Sequence, residues 1–233
     1  MPTNSPSNAG TPAPRYPMPF TRVELCVFCV DEGELRVLLA RRASEPFQGR
    51  WALPGGVLRI DLDESLEAAC QRVAGERLGT QLAGTQLQAA LGGKDRDPRA
   101  PWALSLVYRA AVLADQVLVS PGKRISDLRW TLATQAAADR RLAFDHARIV
   151  TQALASLRSE VDGLHFPPGL LPEAFTLGEL QAASEVVLGH ALDKSSFRRR
   201  IDAAGLVEPI DGAMRTGAFR PAQLYRLAKK SGD

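Results

Sequence analysis

Cysteine is scarce in this 233-residue chain, with Cys26, Cys29 and Cys70 the only three. So sparse and odd a set excludes a disulfide-stapled secreted scaffold and points to a reducing cytoplasm. The pair C-V-F-C (26–29) has no second pair to complete a zinc site. In an alternating strand, residues three apart also face opposite sides, so these thiols read as core, and no metal ligands are expected. Long apolar runs are missing too: none approaches the ~20 residues that a membrane helix needs. Net charge is small, +3 from 29 Lys and Arg against 26 Asp and Glu, too little by itself to indicate a nucleic-acid partner. The opening MPTNSPSNAGTPAPRYPM has no apolar core of signal-peptide length. Rich in Pro, Ser, Asn and Gly, it holds too little apolar surface to offset ordering entropy, and residues 1–20 read as a disordered tail.

What is present is ordinary globular material, 45% apolar and 24% charged, enough for one large domain or two smaller ones. RVELCVFCV (22–30) and LRVLLA (35–40) are β-rich runs joined by the hairpin signal D-E-G-E. A tight P-G-G turn follows at 54–56. A helical pattern then runs from about Glu64 to Leu78, with Asp61 or Asp63 as N-cap and Gly79 as the stop. Further strands are expected at 103–113 and 125–130, and a helix at 144–161. Strands and helices at this spacing predict a mixed α/β layer domain. The punctuation H-F-P-P-G (165–169) marks a boundary. Beyond it, T-L-G-E (176–179) is a capping box opening one helix. Asp193 caps a second helix that ends at Gly205, and turn signals at Asp211-Gly212 and Thr216-Gly217 suggest a hairpin. Two helices and a hairpin outline a winged helix-turn-helix.

Two stretches carry chemistry. R-V-A-G-E-R-L-G (72–79) lies where a diphosphate hydrolase would present carboxylates at i and i+4 to hold Mg²⁺. Val73 and Arg77 occupy that spacing without carboxylates. Glu76 remains, four residues after Arg72 and placed to pair with it, and Glu64 stands near the helix start. Val73 continues an apolar stripe with Leu66 and Cys70, which core packing explains. For Arg77 two readings stand: an arginine snorkelling to the surface, or a guanidinium that replaces the cation and binds the diphosphate directly.

The second stretch is D-K-S-S-F-R-R-R-I-D-A-A-G (193–205). From Lys194 onward the chain has nine Lys and Arg against four Asp and Glu, a local excess suited to a polyanion. Phe197, Ile201 and Ala204 form a core stripe. Lys194, Ser195, Arg198 and Arg199 fall elsewhere, as groove-entering groups on a recognition helix would. The alternative is a solvated basic face without a ligand. M-R-T-G-A-F-R-P (214–221) would be the wing, with Arg215 and Arg220 as backbone or minor-groove contacts.

R-W-A-L-P-G-G (50–56), followed by Glu64, Arg72, Glu76 and Gly79, resembles the Nudix box. Seven residues rather than five separate Gly56 from Glu64, and two of the three distal glutamates are gone. The run L-R-V-L-L-A-R-R through Gly56, with D-R-D-P-R (95–99), is similar to the ADP-ribose-type Nudix branch. L-L-P-E-A-F-T-L-G-E-L-Q, D-K-x-x-F-R-R and R-P-A-Q-L-Y-R (220–226) resemble the C-terminal domain of Nudix-related transcriptional regulators of the NrtR type. The resemblance implies an α/β (α+β sandwich of Nudix type) fold over residues 21–165 followed by a small winged helix-turn-helix over 166–233.

It further implies a homodimeric repressor of NAD-metabolism genes that binds double-stranded operator DNA and releases it when ADP-ribose or a related nucleotide binds; some relatives control sugar catabolism instead. No cofactor is required. No catalytic residues follow from it, since the box is degenerate at Val73 and Arg77. It carries an effector-binding role to Arg41, Arg42, Gly55, Gly56, Arg72, Glu76, Asp95, Arg96 and Arg99; Arg77 joins them by its place on the helix, and Trp51 or Phe144 suits either an adenine stack or the core. DNA contact falls to Thr176, Lys194, Ser195, Ser196, Arg198, Arg199, Arg215, Thr216 and Arg220. The rival classes are an active ADP-ribose diphosphatase with an accessory domain and a nucleotide-binding adaptor without DNA affinity.

Overall fold

The computed structural model describes residues 18–114, 120–216 and 221–228; the expected tail and Arg220 therefore lie wholly or largely outside the described residues. Nine strands and five helices follow in the order β1 (Phe20–Asp31), β2 (Glu34–Arg42), β3 (Trp51–Ala52), β4 (Gly55–Val57), α1 (Leu66–Leu78), β5 (Gln86–Lys94), β6 (Trp102–Ala111), β7 (Ile125–Leu132), α2 (Ala133–Ala138), α3 (His146–Asp162), α4 (Leu177–Leu188), α5 (Lys194–Ala203), β8 (Val207–Arg215) and β9 (Ala222–Leu227) among the described residues.

β1 is the spine. It pairs in parallel with β6 and antiparallel with β2 and β4, while β5 lies outside β6 and β7 joins β2. Its apolar alternation feeds two cores, since successive side chains point to opposite faces. Val23, Leu25, Val27 and Cys29 pack with Ala69, Cys70, Val73 and Leu78 of α1. Cys26 and Phe28 face Ile149, Leu157 and Val161 of α3. The three cysteines are free and buried, and burial raises their pKa to about 12, 12 and 11.

The D-E-G-E hairpin forms with both Glu32 and Gly33 at positive φ, the turn whose twist matches flanking strands. α1 starts two residues later than its pattern suggests. Ser65, not Asp61 or Asp63, is the N-cap and accepts from the Ala68 N–H. Asp63 is occupied elsewhere: it accepts from Arg59 N–H and from the Arg72 guanidinium at 2.6 Å. At the other end, carbonyls of Glu76, Arg77 and Leu78 have no intrahelical donor. The N–H groups of Lys123, Gly122 and Ser120 satisfy all three.

α4 carries the expected capping box, with Thr176 and Glu179 bonded reciprocally, and Asp193 caps α5 through the Ser196 N–H. Phe197 and Ile201 are buried with Leu180 and Phe175 in a small separate core. Ala204 is exposed, and Leu206 fills its expected place because the helix ends at Ala203. Asp211-Gly212 is not the hairpin turn. It lies inside β8, where the register with β9 shifts between Pro209 and Met214 and Gly212 has φ +69°, a bulge rather than a reversal. α4 also joins the larger core: fully buried Val187 packs in the same cluster as Leu154, Leu157 and Val161 of α3. No helix among the described residues is long and apolar enough to cross a membrane.

Candidate functional site

The cleft between β2, the P-G-G turn and the loop before β7 is lined by six arginines, Arg22, Arg41, Arg42, Arg77, Arg99 and Arg124, with Glu45 the one acid among its lining residues. So many guanidiniums in one concavity raise its potential, and the effect is plain at Arg42. Burial, then Arg22 and Arg99, lowers the Arg42 pKa to about 10. The arrangement is costly without a ligand and complementary to a diphosphate.

Each arginine is aimed by local structure. Arg77 is buried rather than snorkelling: its Nε donates to the Gly55 carbonyl at 2.8 Å and its Nη1 to that of Lys123. Burial lowers its pKa. Arg41 and Arg42 bond the carbonyls of Gly49 and Pro46. Arg99 pairs with buried Asp97. Burial would raise the Asp97 pKa, but the Arg99 hydrogen bonds hold it below the usual carboxylate value. The guanidiniums of Arg22, Arg42 and Arg99 lie 5.8, 5.0 and 5.8 Å from the Phe144 ring centre, a cation–π arrangement. Phe47 meets the same ring edge-on at 4.8 Å.

Beneath the turn lies a buried charged pair, Arg22 Nε to Glu24 Oε1 at 2.6 Å. Glu24 Oε2 has no hydrogen-bond partner, with His146 Nε2 3.9 Å away. His146 accepts the Leu53 N–H at Nδ1, which leaves its proton on Nε2, toward the carboxylate. Burial lowers the His146 pKa, so the ring is neutral. Gly55 is required here because a Cβ would stand 1.9 Å from Glu24 Oε2, and a Cβ on Gly56 would stand 2.8 Å from Val73 Cγ2.

The structure divides the residues singled out from sequence. Arg41, Arg42, Gly55, Arg77 and Arg99 line the cleft, and Gly56 backs it against Val73. Arg72 does not line it: it ties α1 to Asp63 and the Val57 carbonyl, and its pairing with Glu76 is 3.5 Å. Arg96 forks onto Asp145, and Asp95 is an exposed turn residue at φ +59°. Trp51 is covered by Arg129 at 4.0 Å, and Phe144 stands among the arginines. Arg22, Glu24, Arg124 and His146 were missed. The available signal was two charges, i and i+2, on one face of an otherwise apolar strand.

A divalent cation, implied by likeness to the Nudix box, does not fit these residues. The α1 face toward Gly55 and Gly56 presents Val73 and the Arg77 guanidinium, Glu76 is paired with Arg72, and Glu24 Oε1 is held by Arg22. Among the described residues no three His, Cys, Asp or Glu side chains converge to hold a metal ion.

On the C-terminal domain, Lys194, Ser195, Arg198 and Arg199 are exposed on α5 and Ser196 is half-buried. Arg200 turns away and donates to the Asp162 carbonyl of α3. Thr176 Oγ1 is occupied by the Glu179 N–H, and Arg215 pairs with Glu179 at 3.2 Å. Thr216 is exposed.

Residues 20–153 match the NUDIX domain and residues 167–227 the NrtR DNA-binding winged helix domain. The ADPR responsive transcriptional repressor NtrR of Acinetobacter baylyi is 36% identical, over 94% of this chain and 86% of its own. The crystal structure of Shewanella oneidensis NrtR complexed with a 27mer DNA is similar at 33% identity and TM-score 0.75, over 89% of this chain and 93% of that one. The cocrystal structure of the NUDIX domain of Shewanella oneidensis NrtR complexed with ADP ribose is similar at 28% identity and TM-score 0.53, over 61% of this chain and 90% of that one.

Proposed function

This chain belongs to the NrtR family, a NUDIX domain joined to an NrtR winged helix domain, and from that premise we propose that it is a ligand-responsive transcriptional repressor. Residues 21–165 bind ADP-ribose or a related NAD-derived nucleotide, and residues 166–233 bind operator DNA. One observation carries this reading: an arginine-lined cleft whose helix offers Val73 and Arg77 instead of metal-binding carboxylates stands on the same chain as an α5 with exposed Lys194, Ser195, Arg198 and Arg199. The relatives named for ADPR response, DNA and ADP ribose support it.

In this reading the diphosphate receives charge-assisted hydrogen bonds from Arg41, Arg42, Arg99 and Arg22. Arg77 supplies a fixed positive charge where a hydrolase would use a cation. Without clustered carboxylates to hold a metal ion, the nucleotide is bound and not cleaved. Arg72, Glu76, Asp95 and Arg96 lie off the cleft lining and do not touch ligand. The first half of α5 enters the major groove, its helix N-terminus favouring phosphate. Two chains on a palindromic site in the cytoplasm, at genes of NAD metabolism, complete the proposal. Ligand shifts the equilibrium toward a geometry that no longer fits both half-sites.

Selection of bound duplexes from a genomic pool, with and without ADP-ribose, tests it. The expected result is one enriched sequence class that ADP-ribose disperses. Steady release of AMP from ADP-ribose in Mg²⁺, with no enriched duplex, would overturn it in favour of a hydrolase.

A further inference from the structure

α3 spans the molecule between the two sites. Its seventeen residues extend about 25 Å at 1.5 Å per residue. Its first turn backs the cleft, against residues that line it. Asp145, its N-cap, holds Arg96 and Arg148, His146 receives the Leu53 N–H, and Phe144 immediately before it is ringed by three guanidiniums.

The C-terminal end of α3 meets the winged helix. Arg158 on α3 donates through Nε to the Val187 carbonyl at 3.0 Å, in the last turn of α4. In return, Arg200 on α5 donates through Nη2 to the Asp162 carbonyl, in the last turn of α3. Both acceptors are helix-end carbonyls, which have no intrahelical donor and carry the negative end of the dipole. Two helix C-termini thus each receive a guanidinium from the other side of the domain junction.

The two bonds have different neighbours. α4 is already fixed to α3 by packing, since Val187 is fully buried in the shared core. α5 lies in the smaller separate core of Phe175, Leu180, Phe197 and Ile201, and Arg200 ties it directly to α3. Arg198 and Arg199 precede Arg200 on the same helix and stay exposed.

We propose that Arg158 and Arg200 are positioning residues that make α3 the link between the arginine cleft and the DNA-contacting face of α5. A displacement of the first turn of α3 by a bound nucleotide reaches α5 through these two capped helix ends. The proposal rests on the reading of the chain as a ligand-responsive DNA-binding protein.

The test uses the full chain, a duplex obtained by the selection above, and ADP-ribose as probe. Fluorescence anisotropy gives operator affinity with and without saturating ADP-ribose, and calorimetry gives ADP-ribose affinity. In the double variant Arg158→Gln, Arg200→Gln, nucleotide affinity stays within about twofold of wild type. The ratio of operator affinities without and with ligand falls at least tenfold, because coupling is lost while both sites remain. Arg200→Lys recovers part of the ratio, since an ammonium also reaches a helix-end carbonyl; a merely structural loss would not be rescued this way. If the double variant does not fold cooperatively, the exposed single change Arg200→Gln decides by the same ratio. A wild-type ratio in the variants overturns the linkage. A wild-type protein whose operator affinity ignores ADP-ribose overturns the functional reading first and the linkage with it.

Discussion

Arg77 sits at the end of α1 with its guanidinium between the Gly55 and Lys123 carbonyls. Helical spacing gave it two fates, surface or cleft, and the choice was made by residues 120–124, whose backbone satisfies the end of α1 and receives the guanidinium. No periodicity within the helix encodes a partner 46 residues away. By contrast, the Arg72–Glu76 pair was legible because it is a local i,i+4 relation. Arg77→Glu is expected to lower ADP-ribose affinity at least tenfold in metal-free buffer, about 1.4 kcal/mol, by isothermal calorimetry in EDTA; unchanged affinity would return the residue to a structural role. His146 is the other residue whose environment makes a prediction. Its pKa is lowered by burial, so the unfolded chain takes up the proton first as pH falls. The stability that neutral His146 contributes is complete above its ordinary value of about 6.5 and is lost as pH falls from there toward the lower folded value. The unfolding free energy should fall between pH 7 and pH 5 by at most about 1.4 kcal/mol per pH unit from this group, and the melting temperature with it. His146→Gln should flatten that slope.

α1 carries the element-scale question, because it presents Val73 and Arg77 at the i and i+4 spacing that would suit a pair of metal-holding carboxylates. Val73 is fully buried, facing Gly56 and the β1 core. A glutamate at 73 would therefore place a carboxylate in an apolar interior beside Arg77, which is already committed to two carbonyls. Val73→Glu is expected to destabilise by about 3–5 kcal/mol, the range for an uncompensated buried charge, in urea unfolding, and to yield no Mg²⁺-dependent AMP release. Elements with strong local chemistry were plain in the sequence: the D-E-G-E hairpin, the Thr176–Glu179 capping box and the Asp193 cap. Those set by tertiary context were not. β5, QLQAALGGK, has two glycines and no β-branched residue, and exists because β6 offers it a full edge. The Asp211-Gly212 signal is a true left-handed position, but the strand absorbs it as a bulge. The capping of α1 by Ser65 in place of Asp63 has the same origin: Arg72 claimed the better carboxylate.

At the scale of the whole molecule, the charge that matters is local, since a total of +3 conceals six arginines in one cleft and a basic α5. DNA affinity from such a surface falls with salt, because each phosphate neutralised releases counterions, with a slope of about −0.9 per contact in log–log form. Arg198 and Arg199 are both exposed at the middle of α5, where phosphate and base edges are within reach of a groove-entering helix. If both contact phosphate, replacing them with Ala reduces the salt slope by about 1.8 for one chain on one half-site. Two chains on a palindrome double the loss to about 3.6. The same pair of substitutions therefore reports both the DNA surface and the stoichiometry. The expected outcome is the larger loss, with ADP-ribose affinity unchanged, measured by anisotropy from about 50 to 200 mM salt. A loss near 1.8 assigns the surface but sinks the dimer, and an unchanged slope removes α5 from the interface.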